Sequence, residues 1–84
     1  MKVTALIETY SGGKYGRPGE YIAIVEPQFF KNGKMKKSNF KVIQVLETIK
    51  KGYHHHCANY SERIAKVMND KNEWIYPEWM KESK

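Results

Sequence analysis

Lysine side chains are concentrated around an Asn-Gly pair between Phe29 and Lys41, and no acidic residue lies among them. Ammonium groups on so short a segment repel one another, and an anionic partner would relieve that repulsion. A nucleic-acid backbone carries negative charge at close, regular intervals, so the pattern favours contact with phosphates. We refer to residues 29–41 as the lysine hairpin.

The chain as a whole is basic, because 15 Lys and Arg residues stand against nine Asp and Glu residues, a formal net charge of +6. Arg17 and Arg63 are the only arginines. Base recognition usually relies on the planar arginine fork, whereas lysine is a flexible point charge, so we expect backbone contact without sequence reading. The predicted contact residues are Lys14, Arg17, Lys31, Lys34, Lys36, Lys37 and Lys41.

The same lysines are also compatible with two different roles. They could form a solvated face that protects the edge of a sheet against aggregation, or they could bind an acidic protein. The neighbouring Phe29, Phe30 and Phe40 could stack on unpaired bases, but phenylalanines beside strands more commonly belong to the core.

A glycine-rich segment at residues 11–19 lies between two β-rich runs. It lacks both the Gly-Lys-Ser/Thr sequence of a phosphate-binding loop and the glycine spacing of a dinucleotide site. Its Gly amides could hold one phosphate together with Lys14 and Arg17, while a plain hairpin loop is the other interpretation.

The segment His54, His55, His56, Cys57 offers soft metal ligands and groups that titrate near neutral pH. A closed tetrahedral site needs four converging ligands, and the chain has no other His or Cys, although Glu62 could add an oxygen. A nuclease could use such histidines, but no nucleophile and base or carboxylate cluster for magnesium accompanies them. We therefore predict no metal site, no cofactor, no catalytic residues and no enzymatic activity.

Large aromatic side chains mark the end of the chain at Trp74, Tyr76 and Trp79. They could complete a small core, or they could be anchors of a protein interface, where Trp and Tyr are enriched. The second alternative predicts a protein-binding regulator or inhibitor, of the small kind that phages and mobile elements encode, acting on a larger host protein.

The elements that would position these residues follow from periodicity. Alternation over residues 2–10 and a β-rich run over 21–25 predict a first hairpin, after which Pro27 ends the strand or marks a bulge or edge. Asn32-Gly33 predicts a second hairpin with a two-residue turn and positive φ at both positions.

Two helices are expected to follow. Apolar spacing predicts a helix over about 40–51, with a strand as the alternative because Val and Ile are frequent there. Asn59 and Glu62 suggest a capping pattern for a second helix, which ends at about 69–72. Its predicted buried face consists of Ile64, Ala65, Val67 and Met68. Residues 73–80 are expected to form a last strand or an extended arm.

These elements predict an α+β fold, with a small antiparallel sheet of three to four strands packed against two helices. The 84 residues suit one compact domain, 1–84, with frayed residues 81–84. The single cysteine and the lack of a signal-peptide or membrane-spanning pattern predict a cytoplasmic protein without a membrane partner. The expected partner is DNA or RNA, or else an acidic or nucleic-acid-binding protein, and the oligomeric state is left open.

Overall fold

Five antiparallel strands form one sheet in the computed structural model, which describes residues 1–12, 16–53 and 59–80. The spatial order of the strands is β3-β2-β1-β4-β5. Their bounds are β1 Val3–Ser11, β2 Gly19–Phe29, β3 Met35–Lys50, β4 Tyr60–Met68 and β5 Trp74–Ile75, and a 3₁₀ turn follows at Pro77–Trp79.

The α+β prediction is wrong, since no α-helix occurs within the described ranges. Both segments predicted as helices are strands, namely β3 and β4, and the strand alternative for residues 40–51 is the correct one. No described helix is long and apolar enough to cross a membrane.

A bulge accounts for the helix-like apolar spacing of β4. Along β1, Leu6 pairs with Lys66 but the next residue, Ile7, pairs with Ile64, so Ala65 is an extra residue on β4. An extra residue shifts the phase of side-chain alternation. Ile64 and Val67 therefore lie on the same buried face although they are three positions apart.

The same irregularity recurs three times along β3. Its pairing with β2 passes over Ile43, Leu46 and Ile49, each of which is an extra residue on the β3 side. Repeated bulges bend and twist a strand. They also give the apolar residues of β3 a spacing of three residues, and this spacing is the reason that the sequence predicted a helix.

The predicted first hairpin is confirmed by the antiparallel pairing of β1 with β2. Val3, Ala5 and Ile7 share the buried face of β1, as their alternation predicts. Val25 is the last residue of β2 that pairs with β1, but β2 continues beyond it and includes Pro27. The register of β2 with β3 shifts directly after Pro27. The bulge alternative for this proline is therefore correct.

The second hairpin is also confirmed, but its turn differs from the expected one. The Phe30 N–H donates to the Lys34 carbonyl at 2.8 Å, and the Gly33 N–H donates to the Phe30 carbonyl at 3.0 Å. The loop therefore has three residues, 31–33, and only Gly33, at φ 85°, has a positive φ in it. This is the three-residue hairpin loop, in which a single glycine takes the left-handed conformation.

The core lies on one face of the curled sheet. Its largest fully buried side chains are Ile7, Val25, Ile64, Val67 and Pro77. β3 contacts β4 and the 3₁₀ turn although it lies at the far edge of the sheet order, so the sheet curls over this core.

The chain end supports this arrangement. β5 pairs with the end of β4, which confirms the predicted last strand, and Ile75 and Met80 pack against the core. The start of β2 makes a close backbone approach: a Cβ on Gly19 would lie 2.5 Å from the Gly52 nitrogen.

Candidate nucleic-acid interface

Four of the five predicted contact residues of the lysine hairpin lie close to its turn. Lys31 lies in the turn, and Lys34, Lys36 and Lys37 follow it into β3. The Asn32 side-chain oxygen accepts a hydrogen bond from the Lys34 N–H at 3.0 Å, which stabilises the turn. The turn depends on local residue types, and Met35, which lies between Lys34 and Lys36, anchors the hairpin in the core.

The remaining predicted cations are not part of this group. Lys41 lies farther along β3, opposite Glu26 of β2. Arg17 pairs through its backbone with Tyr53, at the end of β2 away from the turn, so about 30 Å of strand separates it from the hairpin. Lys14 lies outside the described residues.

A groove of about 630 Å³ runs along the lysine hairpin and reaches Glu78. Phe30 lines it, together with Lys34, Lys36 and Lys37. The Lys36 Nζ lies 5.4 Å from the centre of the Phe30 ring, within the range of a cation–π contact. The groove is therefore basic, with an aromatic side chain at its wall.

The 3₁₀ turn lies against the hairpin through an ion pair. The Lys37 Nζ is 3.3 Å from the Glu78 Oε2, and both side chains are exposed. A hydrogen bond from its own backbone N–H and the nearby Lys37 ammonium lower the pKa of the Glu78 carboxyl. Sequence analysis missed Glu78, because residues so distant in the chain give no local signal of their contact.

The aromatic segment is largely exposed. Trp74, Tyr76 and Trp79 all present accessible side chains, so none of them is a core residue. The Tyr76 and Trp79 rings meet edge to face, with centroids 5.1 Å apart and an interplanar angle of 88°. Ile75, Pro77 and Met80 make the core contacts of this segment in their place.

A second surface, which sequence analysis assigned to a buried helix face, lies on the edge strand. Ile43, Val45, Leu46 and Ile49 of β3 are all about half exposed, and we call them the β3 apolar row. β3 has β2 on one side and no strand of the described chain on the other. Its repeated bulges make it a poor template for regular strand addition, so a partner would contact side chains more than backbone.

Sequence analysis also missed a carboxylate held by two tyrosines. The Tyr21 hydroxyl donates to the Glu62 Oε2 at 2.8 Å, and the Tyr60 hydroxyl donates to the Oε1 of the same carboxylate at 2.5 Å. Partial burial and these hydrogen bonds raise the pKa of Tyr21, and raise the pKa of Tyr60 to about 12. The cluster stabilises the contact between β2 and β4, which are not adjacent in the sheet.

The histidine and cysteine side chains that were considered as metal ligands, and from which no metal site was predicted, are not described by the structure. His54, His55, His56 and Cys57 lie outside the described ranges. Within those ranges, no group of three His, Cys, Asp or Glu side chains is arranged to hold a metal ion. Glu62, the possible oxygen ligand, directs both carboxylate oxygens to tyrosine hydroxyls.

Comparison with protein-family models, curated proteins and solved structures gives no match for this chain. Its function is therefore inferred from its own residues and their arrangement.

Proposed function

We propose that this protein binds nucleic acid, without catalysing a reaction, through phosphate contacts from the lysine hairpin. The observation that supports this proposal most directly is that four lysines surround one exposed turn and its groove, namely Lys31, Lys34, Lys36 and Lys37. Lysine ammonium groups on a narrow hairpin can follow a phosphate backbone while reading little sequence. Glu78 is the acidic residue that lines this groove, and Lys37 already pairs with it.

The test replaces Lys34, Lys36 and Lys37 together by Ser and measures affinity for nucleic acid at several salt concentrations. If each lysine contacts one phosphate, the slope of log affinity against log salt should flatten by about two to three units. Affinity should fall by a similar factor for unrelated sequences, because phosphates carry no sequence information.

A matched control replaces Lys50, Lys51 and Lys71 by Ser. These lysines are exposed, Lys50 and Lys51 lie at the end of β3 opposite the hairpin, and the variant has the same net charge as the triple variant. Only a general charge effect would weaken binding equally in both variants. Equal loss in both, or unchanged binding in the hairpin variant, would contradict a local phosphate site, and no binding of the native protein at low salt would end the proposal.

A second candidate function is the binding of an acidic protein, and the β3 apolar row is the observation that favours it. Four neighbouring half-exposed apolar side chains are unusual on so small a surface. Lys41, Lys50 and Lys51 flank the row, with Glu47 as the acid between them, so an acidic partner surface would complement it. The aromatic residues Trp74, Tyr76 and Trp79 are the other surface through which such a regulator could act.

Capture from a nuclease-treated lysate separates the two candidates. A protein partner that uses the β3 apolar row should remain after nuclease treatment in a stoichiometric amount. It should then be lost from the Leu46→Ser, Ile49→Ser double variant and kept by the triple lysine variant. Loss of every captured protein after nuclease treatment would contradict this second function.

A further inference from the structure

Three exposed aromatic rings lie on the lysine hairpin and on the segment that its ion pair with Glu78 holds against it. Phe30 is 55% exposed, Tyr76 is 49% exposed and Trp79 is 65% exposed. Burial of these rings would stabilise a small domain, yet they remain accessible, and Trp79 is the most exposed of the three. Their exposure is therefore more consistent with contact to a partner than with a role in the fold.

Cations and rings alternate over this surface. Lys36 lies over Phe30, and the Lys66 Nζ lies 5.7 Å from the centre of the Tyr76 ring. The Lys37 ion pair with Glu78 connects the hairpin to the 3₁₀ turn that carries Trp79. The hairpin and the 3₁₀ turn, which are distant in the chain, are thus in contact, and together they expose both cations and aromatic rings.

We propose that the ligand of the lysine hairpin is single-stranded nucleic acid, with unpaired bases stacked on Phe30, Tyr76 and Trp79. This inference rests on the proposed nucleic-acid function and narrows its ligand. In a duplex the base faces are stacked on one another, and an exposed aromatic ring on a protein surface cannot reach them without unstacking a step. A single strand offers a phosphate chain and free base faces together, which is the combination of groups that this surface complements.

The arrangement of charge supports a single strand as well. Lys34 and Lys36 form no salt bridge with a described residue and remain able to contact phosphates. A duplex presents two phosphate backbones, whereas the cations here follow one narrow hairpin and its groove. Few phosphate contacts give modest affinity, so stacking has to supply a substantial part of the binding free energy.

The test measures the anisotropy of labelled oligothymidine, oligouridine and a DNA duplex of the same length at one low salt concentration. Both single strands should bind at least about tenfold more tightly than the duplex. A preference for oligothymidine over oligouridine, or the reverse, would identify the natural source as DNA or RNA without affecting the proposal.

Trp79→Ala should weaken single-strand binding by about 5- to 100-fold, the loss expected for one stacked base. It should leave the salt slope unchanged, because no phosphate contact is removed. Trp79→Phe retains a ring and should recover most of the affinity. Tyr10→Ala is the control, since it removes an exposed ring at the end of β1 away from the hairpin and should leave single-strand affinity close to that of the native protein.

The variant Trp74→Ala provides a direct measure of stacking, because Trp79 is then the sole tryptophan of the chain. Its fluorescence should be quenched by oligothymidine and much less by the duplex. Equal affinity for single strand and duplex, or native affinity in Trp79→Ala, would overturn the stacking inference while leaving phosphate binding intact. Absence of binding to any of the three oligonucleotides would overturn both proposals.

Discussion

Replacement of Ile64 by Ala, compared with replacement of Leu46 by Ala, tests the burial pattern of β3 and β4. In the sheet, Ile64 of β4 is a core residue and Leu46 of β3 is not. Ile64 is 0% exposed in the core, and Leu46 is 48% exposed on the edge strand. Ile-to-Ala changes in a filled core cost about 2–5 kcal/mol, because they combine lost transfer energy with a residual cavity. At the half-exposed position no closed cavity forms, and the expected cost is about 1 kcal/mol or less.

These costs are large on the scale of a small domain. At roughly 0.05–0.15 kcal/mol per residue, a chain of this length has a free energy of unfolding of about 4–13 kcal/mol. Since 1 kcal/mol changes Tm by roughly 4–8 °C in a domain of this size, Ile64→Ala should lower Tm by at least about 8 °C. Leu46→Ala should lower it by no more than about 8 °C, and by less than Ile64→Ala does.

Thermal and urea unfolding followed by far-UV circular dichroism measure both variants. If Ile64→Ala prevents folding, Ile64→Val provides a milder comparison, with an expected cost of about 0.5–1.5 kcal/mol. A larger loss at Leu46 than at Ile64 would refute the burial pattern of the sheet. It would instead agree with a helix over 40–51 that buries its apolar stripe.

The remaining predictions concern the tyrosine pair and two glycines. Tyr21 and Tyr60 have raised pKa values, so the stability that Tyr60 contributes should be complete below about pH 10 and lost as the pH rises through about 12. The contribution of Tyr21 should be lost at a higher pH than that of Tyr60. Phenolate absorbance should show two late-titrating tyrosines, and Glu62→Gln should bring their titration closer to that of the others. Gly19→Ala should destabilise strongly in urea unfolding, because its Cβ would meet backbone atoms at 2.5 and 2.8 Å. Gly33→Ala meets no atom within 4 Å and should cost only about 1–2 kcal/mol, from its positive φ.

Local sequence patterns predicted the two hairpins because each depends on residues close together in the chain. Alternation of Val3, Ala5 and Ile7 identified the buried face of β1, and Asn32-Gly33 identified the second turn. The Asn-Gly pair could not give the number of loop residues, since both the two-residue and the three-residue hairpin loop place a glycine at positive φ.

The predicted helices failed because a bulge is not visible in the apolar pattern. Ile64 and Val67 are three positions apart, and that spacing describes either one face of a helix or a strand with one extra residue. The frequent β-branched residues of β3, Val42, Ile43 and Val45 among them, were the signal for a strand. Three bulges spaced three residues apart then concealed the alternation that would have confirmed it.

The two proposals depend on the fold to different degrees. The lysines of the hairpin are held together by a local turn, so the charge pattern identified them even though the fold class was wrong. The position of Trp79 beside them depends on the register of β4 with β5 and on the Lys37–Glu78 contact, neither of which any local pattern encodes. Phosphate binding can therefore be inferred from the hairpin sequence by itself. Stacking on Phe30 can also be inferred from the sequence, but the addition of Tyr76 and Trp79 depends on the tertiary structure, in which the 3₁₀ turn contacts the hairpin. These two added rings are the reason for proposing a single strand, and not a duplex, as the ligand.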